Sequence, residues 1–274
     1  MKEESVKKLL TTLTAVFMIG FAMTPFLYML FTSVNAKPDF LEAGWLFTLS
    51  HYRDVLGADS LHFLDYLKNS ILVSAAASLV TVFIASISAF AITRLEMKGK
   101  LFVLFFVLAV SMFPQVSMIG YLFKIMTALG LINTYPALIM PYIAWILPLS
   151  LWILVSYFSQ IPKELDKAAI IDGCNEWQVL FKVLFPVALP GIFSTLLLSF
   201  IFAFNEFIFA LILTTDFNAR TIPVGIALFE GLHGQIPWGQ IMAASVVTVF
   251  PIMIMTLVFQ RHIIGGLTKG AVKG

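Results

Sequence analysis

The chain has 274 residues, of which 60% are hydrophobic and 12% are charged, and its formal net charge is +2. Soluble globular domains carry roughly 25% charged residues, so a chain with about half that share must expose much of its surface to lipid. The small net charge gives no support for a nucleic-acid partner, and the single cysteine, Cys174, excludes an internal disulfide.

Six apolar segments are long enough to cross a membrane, because a helix needs about 20 apolar residues to span the hydrocarbon core. In chain order they are 9–34, 70–93, 101–123, 135–158, 186–213 and 240–262. The first is longer than the apolar core of about 7–15 residues in a cleaved signal peptide, so we expect it to be retained. The sequence therefore predicts an all-α integral membrane protein with six transmembrane helices, forming one domain over 1–274.

Proline residues indicate distortions in the third and fourth of these helices. Pro114 lies in the third segment, and Pro136, Pro141 and Pro148 lie in the fourth. Membrane helices tolerate proline where neighbouring groups satisfy the freed carbonyls, so we expect kinks at these positions.

The distribution of lysine and arginine orients the predicted helices. An even number of spans puts both termini on one side, and with that side inside, twelve of the 17 basic residues are cytoplasmic and five are outside. The termini and the loop 159–185 between the fourth and fifth spans are therefore predicted to be cytoplasmic.

The first half of this loop has the signals of a short helix. Pro162 suits a first helical position, and Glu164 complements the helix dipole in the first turn. Leu165 shares a face with Ala168 and Ala169, which makes that face slim enough for another protein to approach closely. Gly173 can adopt the left-handed conformation that ends a helix.

The second half of the loop predicts an amphipathic helix. Asn175 and Gln178 have the spacing of a capping box. The large apolar residues that follow recur at helical spacing, as expected for a helix on a membrane surface: Trp177, Leu180, Phe181, Leu184 and Phe185. A simple connector needs only about 2–8 residues, so this longer loop indicates a docking element. A membrane-surface helix without a partner is the alternative.

The order of residues in this loop resembles the cytoplasmic coupling loop, or EAA loop, of ABC importer permeases. The matching pairs are Ala168-Ala169, Asp172-Gly173 and Phe185-Pro186. Other segments resemble the maltose- and trehalose-type carbohydrate branch of that family, in the same order along the chain: 47–52, 69–70, 112–114, 129–134, 204–207 and 266–274.

This resemblance implies a permease subunit that imports a di- or oligosaccharide across a bacterial cytoplasmic (inner) membrane by alternating access. It also implies the partners: a second homologous permease, two cytoplasmic ATPase subunits, an extracytoplasmic sugar-binding protein and the surrounding lipid. The residues that would couple the loop to the ATPase are Glu164, Leu165, Lys167, Ala168, Ala169, Asp172 and Gly173.

Lys167 departs from the family pattern, which usually has glutamate immediately before the two alanines. If that glutamate pairs with a basic group on the ATPase, the charge is reversed here. Glu164 or Asp166 would then have to replace it, or the two proteins would use different contacts.

The chain shows no catalytic or cofactor motif. We find no phosphate-binding loop of the Gly-x-x-x-x-Gly-Lys-Ser/Thr type and no metal-ligand spacing among the four histidines. We therefore expect no enzyme activity, no metal and no cofactor in this chain, with ATP and Mg²⁺ bound by the partner ATPase.

Two polar residues inside the fifth apolar segment are candidates for the transport pathway or its gate. Asn205 and Glu206 lie within 186–213, and an ionisable group at membrane depth usually faces protein or a wet cavity. A structural hydrogen bond, or a position close to the outer headgroups, is an equally good interpretation.

Three alternatives to this function remain open from the sequence. One is the same architecture with a polyol or sugar phosphate as substrate. Another is an ion-driven secondary transporter, which would show inverted repeats and several intramembrane charges. The third is a membrane scaffold without an ATPase partner.

Overall fold

The structure, a computed structural model, describes residues 2–37, 44–57, 61–229 and 236–271. Residues 272–274 of the C-terminal motif lie outside the described residues. The helices are α1 (Lys2–Ser33), α2 (Ser50–Gly57), α3 (Phe63–Arg94), α4 (Lys100–Val110), α5 (Gln115–Ala128), α6 (Tyr135–Ser159), α7 (Glu164–Ile171), α8 (Glu176–Gln178), α9 (Phe185–Phe204), α10 (Ile208–Leu213), α11 (Ile222–Ala227) and α12 (Trp238–Ala271). Within the described ranges there is no β-strand, only an isolated bridge between Asn35 and Phe47. The all-α prediction is confirmed.

Among the described residues, five helical stretches are long and apolar enough to cross a membrane, namely Lys7–Ser33, Phe63–Arg94, Tyr135–Ser159, Glu176–Phe204 and Trp238–Phe259. The third predicted span, 101–123, is not one continuous helix. It consists of α4 and α5, which are bent by 88° relative to each other.

The break between α4 and α5 follows from Pro114. This residue precedes α5 in an extended conformation, with φ −67° and ψ 130°. Proline donates no hydrogen bond and disfavours a helical residue before it, so the α4 helix cannot continue through this position. The kink predicted here is thus a complete interruption.

The fifth predicted span also differs in detail. Helix α9 ends at Phe204 and the short α10 begins at Ile208, so 186–213 is interrupted at 205–207. At its other end the helix continues without a break from Glu176, through a π-helical turn at Val179–Leu184, into α9. The second helix predicted for the loop 159–185 is therefore continuous with α9.

The chain divides into two compact units. The first comprises 1–63 and 226–250, and the second 64–225 and 251–274. In the first unit, the Ser33 and Tyr52 hydroxyls are 2.7 Å apart, and the Gln240 amide donates to Asp54 Oδ2 at 3.2 Å. This division into units does not test whether 1–274 acts as a single permease domain, which stays a prediction.

The second unit contains two apolar clusters. One lies where the ends of α3, α6 and the loop before α9 meet, and includes Phe90, Phe158, Leu180 and Leu184. The other joins α6, α10 and the middle of α3, and includes Tyr142. Helix α6 also packs against α9, where the hydroxyls of Ser150 and Ser199 are 2.9 Å apart.

Close packing of α6 and α9 depends on Gly191. A Cβ atom at this position would lie 2.5 Å from Cγ of Tyr157. We expect Gly191→Ala to lower the stability of the purified protein by about 1–3 kcal/mol, the usual cost of overpacking.

Gly120→Ala provides the matched control for this prediction. Gly120 lies inside α5, and a Cβ atom added there would meet no described atom within 4 Å. Alanine also favours a helix over glycine by about 1 kcal/mol. Thermal unfolding in detergent should show a lower midpoint for Gly191→Ala and an unchanged or higher one for Gly120→Ala. Equal midpoints would contradict this account of the packing.

Candidate coupling site and pathway residues

Helix α7 lies close to where the sequence signals predict it. It starts at Glu164, two residues after Pro162, and ends at Ile171. Gly173 follows with φ +87°. The amide of Cys174 donates to the Ala169 carbonyl at 2.9 Å, which satisfies one of the last carbonyls of the helix.

The predicted capping box is also present. Asn175 Oδ1 accepts from the Gln178 amide, and Gln178 Oε1 accepts from the Asn175 amide, both at 2.9 Å. The rings of Trp177 and Phe181 then stack with centroids 6.1 Å apart, and Phe181 and Phe185 follow at 5.9 Å. Trp177 and Phe181 are exposed, but Leu180 and Leu184 of the predicted stripe are fully buried in the apolar cluster with α3 and α6, so the stripe does not lie as a whole on a membrane surface.

The predicted coupling residues do not all face the same way. Leu165 and Ala168 are exposed, as are Glu164, Lys167, Asp172 and Gly173. Ala169 is only 6% exposed and packs into the apolar cluster of α3 and α6. Its side chain therefore anchors α7 to its own chain instead of facing a partner.

Sequence reasoning missed the most prominent apolar side chain of this helix. Ile171, its last residue, is 85% exposed, against 40% for Leu165. Leu165, Ala168, Ile171 and Asp172 recur at spacings of three or four residues, so they share one face. Ile170 beside it is 58% exposed, so two adjacent apolar side chains are exposed at the end of this helix. The repeated spacing from Leu165 could have identified Ile171.

Asn205 and Glu206 lie at the break between α9 and α10. Asn205 Nδ2 donates to the Ile201 carbonyl at 2.8 Å. The Glu206 carboxylate accepts from the Phe209 amide at 2.8 Å and from the Ala210 amide at 3.2 Å. Glu206 thus satisfies two amides that would otherwise lack partners at the start of α10.

Both residues also line a cavity of about 440 Å³. Its lining is Gln115, Trp145, Ile201, Phe202, Asn205, Glu206, Phe207 and Ile208. Gln115 is the first residue of α5 and comes directly after the break at Pro114. The interruptions in two predicted spans therefore place polar side chains at one cavity.

A polar network holds the loops at the opposite end of the second unit from α7. Asn133 Nδ2 donates to Asp216 Oδ1 at 2.8 Å, and Asn133 Oδ1 accepts from the Thr215 amide at 3.0 Å. The hydrogen bond from Asn133 lowers the pKa of Asp216 below its usual value. Asn69 joins the same network by donating to the Phe217 and Arg220 carbonyls at 2.8 and 2.9 Å.

Asn133 holds this network from a left-handed backbone conformation, with φ +62°. We expect Asn133→Gly to cost about 1 kcal/mol for each lost hydrogen bond. Asn133→Ala should cost a further 1–2 kcal/mol, roughly, because alanine disfavours that conformation. Thermal unfolding of the two variants tests this, and an alanine variant as stable as the glycine variant would contradict it.

Comparison with known proteins places the whole chain in one group. Residues 81–269 match the family described as the binding-protein-dependent transport system inner membrane component. The chain is 52% identical to a trehalose/maltose transport system permease of Thermococcus litoralis, over the full length of both. It is 39% identical to a trehalose transport system permease of Mycobacterium tuberculosis, covering 93% of this chain and 94% of that protein.

Another relative is a sulfoquinovosyl glycerol transport system permease of Agrobacterium fabrum, 37% identical over 91% of this chain and 88% of that protein. Among solved structures, the chain is similar to one from a bacterial ABC transporter that imports the acidic polysaccharide alginate. The TM-score is 0.76 at 21% identity, with 93% of this chain and 97% of that chain covered. At this identity the likeness concerns the fold.

Proposed function

Because the chain belongs to the family of binding-protein-dependent transport system inner membrane components, we propose that it is the membrane-spanning subunit of an ATP-driven importer for a di- or oligosaccharide. The observation that carries this proposal is full-length similarity to a trehalose/maltose permease, together with a structured cytoplasmic helix on which Leu165 and Ile171 are exposed. Family membership also argues against the ion-driven and scaffold alternatives.

The cavity favours a neutral glycoside over a sugar phosphate. Its eight lining residues include the carboxylate of Glu206, the amides of Asn205 and Gln115, and no lysine or arginine. Amides and a carboxylate hydrogen-bond sugar hydroxyls, and Trp145 offers an aromatic surface to an apolar sugar face. An anionic substrate would meet the Glu206 charge without a compensating cation.

The proposed mechanism follows from the exposed face of α7. Two ATPase subunits bind below the membrane, one on this helix and one on the equivalent helix of a second, homologous permease. Closure of the ATPases on ATP moves α7, and the movement opens and closes the pathway by rigid-body motion. A binding protein delivers the sugar from outside. ATP and Mg²⁺ are held by the ATPase, and both termini of this chain are cytoplasmic.

One of the two acidic residues that could replace the glutamate missing at position 167 already has a partner within this chain. Asp166 contacts Arg94 within the same chain, so it is not available to replace the missing glutamate. Glu164 is exposed and remains available. We propose that Glu164 makes the contact to a basic group of the ATPase, and that Lys167 meets an acidic one.

Uptake by reconstituted complexes tests the proposed function. The chain is purified with its second permease and ATPase, placed in liposomes with the binding protein, and supplied with labelled trehalose or maltose. We expect uptake with ATP, none with ADP, and competition by unlabelled disaccharide but not by glucose 6-phosphate. Equal uptake with ATP and with ADP would contradict an ATP-driven importer. Competition by glucose 6-phosphate would contradict a neutral glycoside as the substrate.

A further inference from the structure

A buried ion pair joins the end of α3 to α7. Arg94 is the last residue of α3, and its Nε lies 2.7 Å from Oδ2 of Asp166 in α7. The two side chains are only 5% and 13% exposed. An ion pair this shielded from water requires both partners, since either charge alone would be buried without compensation.

Arg94 makes a second contact, with the link that leads from α6 into α7. Its Nη2 donates to the carbonyl of Ile161 at 2.9 Å, and Ile161 lies in the link between α6 and α7. The guanidinium thus meets the Asp166 carboxylate as an ion pair and the Ile161 carbonyl through a hydrogen bond, a combination that a lysine ammonium on its flexible stem reproduces less well. The Arg94 side chain of α3 therefore contacts both α7 and the link between α6 and α7.

Apolar contacts surround this pair. Phe90 and Ile92 of α3 belong to the same buried cluster as Ile161 and Ala169. Helix α7 packs mainly against the turn Val179–Leu184, which belongs to the same cluster, while Leu165 and Ile171 are exposed. Burial raises the pKa of the Asp166 carboxyl above its usual value, and the positive charge of Arg94 opposes this increase.

We propose that Arg94 and Asp166 are positioning residues that tie α7 to α3, so that a displacement of α7 by the ATPase is passed to α3 and from there to the pathway. This inference rests on the proposed function, and it names the route by which the docking helix acts on the membrane helices. Without the ion pair, α7 would still bind the ATPase, but it would move relative to the end of α3, and α3 would not follow.

The main test replaces both charges together, in the complete reconstituted complex. The variant Arg94→Met with Asp166→Leu leaves no uncompensated buried charge, and apolar replacement of a buried ion pair is often neutral or stabilising for the fold. The measured quantity is the ratio of sugar transported to ATP hydrolysed. We expect the complex to assemble and hydrolyse ATP, with this ratio lowered at least fivefold.

Arg94→Lys is the second variant, because it keeps the charge but not the planar guanidinium that donates to the Ile161 carbonyl. We expect an intermediate ratio. A wild-type ratio in both variants would overturn the proposal. Loss of assembly in both would also overturn it, since the pair would then serve folding instead of transmission.

The wild-type complex separates failure of this inference from failure of the proposed function. If the wild-type complex shows no ATP-dependent sugar uptake, the proposed function fails whatever the variants do. If the wild-type complex transports and the variants keep its ratio, only the role of Arg94 and Asp166 is rejected.

Discussion

Ile171→Glu is expected to reduce binding of the ATPase to the permease by about 30-fold or more. Ile171 is 85% exposed at the end of α7, and truncating a central apolar anchor of an interface typically costs about 2 kcal/mol or more. A buried carboxylate without a partner would add to that cost. Co-purification of the ATPase with the tagged permease, followed by titration, measures the effect.

The substitution should leave the permease itself folded, because exposed positions usually tolerate change within about 0.5 kcal/mol. Leu56→Glu is the matched control. Leu56 is 44% exposed and belongs to α2, in a segment predicted to lie outside the membrane. We expect full ATPase binding by Leu56→Glu. Equal binding by the two variants would place the docking surface elsewhere.

Glu206→Gln is expected to reduce sugar uptake about tenfold or more while the ATPase stays bound. Glutamine keeps the size of the side chain and one carbonyl oxygen that can accept from the Phe209 amide, but it loses the second acceptor and the charge in the cavity. Loss of a helix-capping group costs about 1 kcal/mol, so part of any effect would come through stability. Uptake and thermal unfolding must therefore be measured together.

Ser150→Ala supplies the control for stability. It removes the 2.9 Å contact with Ser199 between α6 and α9, which is buried and does not line the cavity. The stability cost is again about 1 kcal/mol, but we expect normal uptake. If both variants lose uptake in proportion to stability, Glu206 is a structural cap and not a pathway residue.

The elements that the sequence predicts well are those specified by local signals. A run of about 20 apolar residues predicts a membrane-spanning segment, and Pro162, Gly173 and the Asn175–Gln178 pair predict the ends of the helices in the loop 159–185 within a few residues. These features depend little on the rest of the fold, so the helices occur close to the predicted positions.

The interruptions were predicted less well because they depend on tertiary context. Pro114 allows either a kink or a break, and neighbouring helices decide between them. Glu206 looks like an isolated charge in the sequence, and only the structure shows that its carboxylate accepts from two amides of α10. Gln115 and Asn205 line the same cavity although they are far apart in the sequence, so no local pattern could have paired them.

The orientation of α7 also required the structure. The alanine pair predicts a slim face, but it does not show that Ala169 packs inward while Ala168 is exposed. The same limit applies to Arg94 and Asp166, which are far apart in sequence. A basic residue ending one span and an acidic residue in a loop are both ordinary features of a membrane protein.

Nucleotide-dependent crosslinking of α7 tests the central claim most directly. In a Cys174→Ser background, single cysteines replace Leu165, Ala168 or Asp172, and the ATPase carries cysteines around its docking groove. Ala169→Cys is the internal control, because that side chain is buried. We predict crosslinks from the three exposed positions, with yields that change when ATP is added, and none from Ala169. No crosslink from any exposed position, with a folded ATPase present, would contradict coupling through this helix.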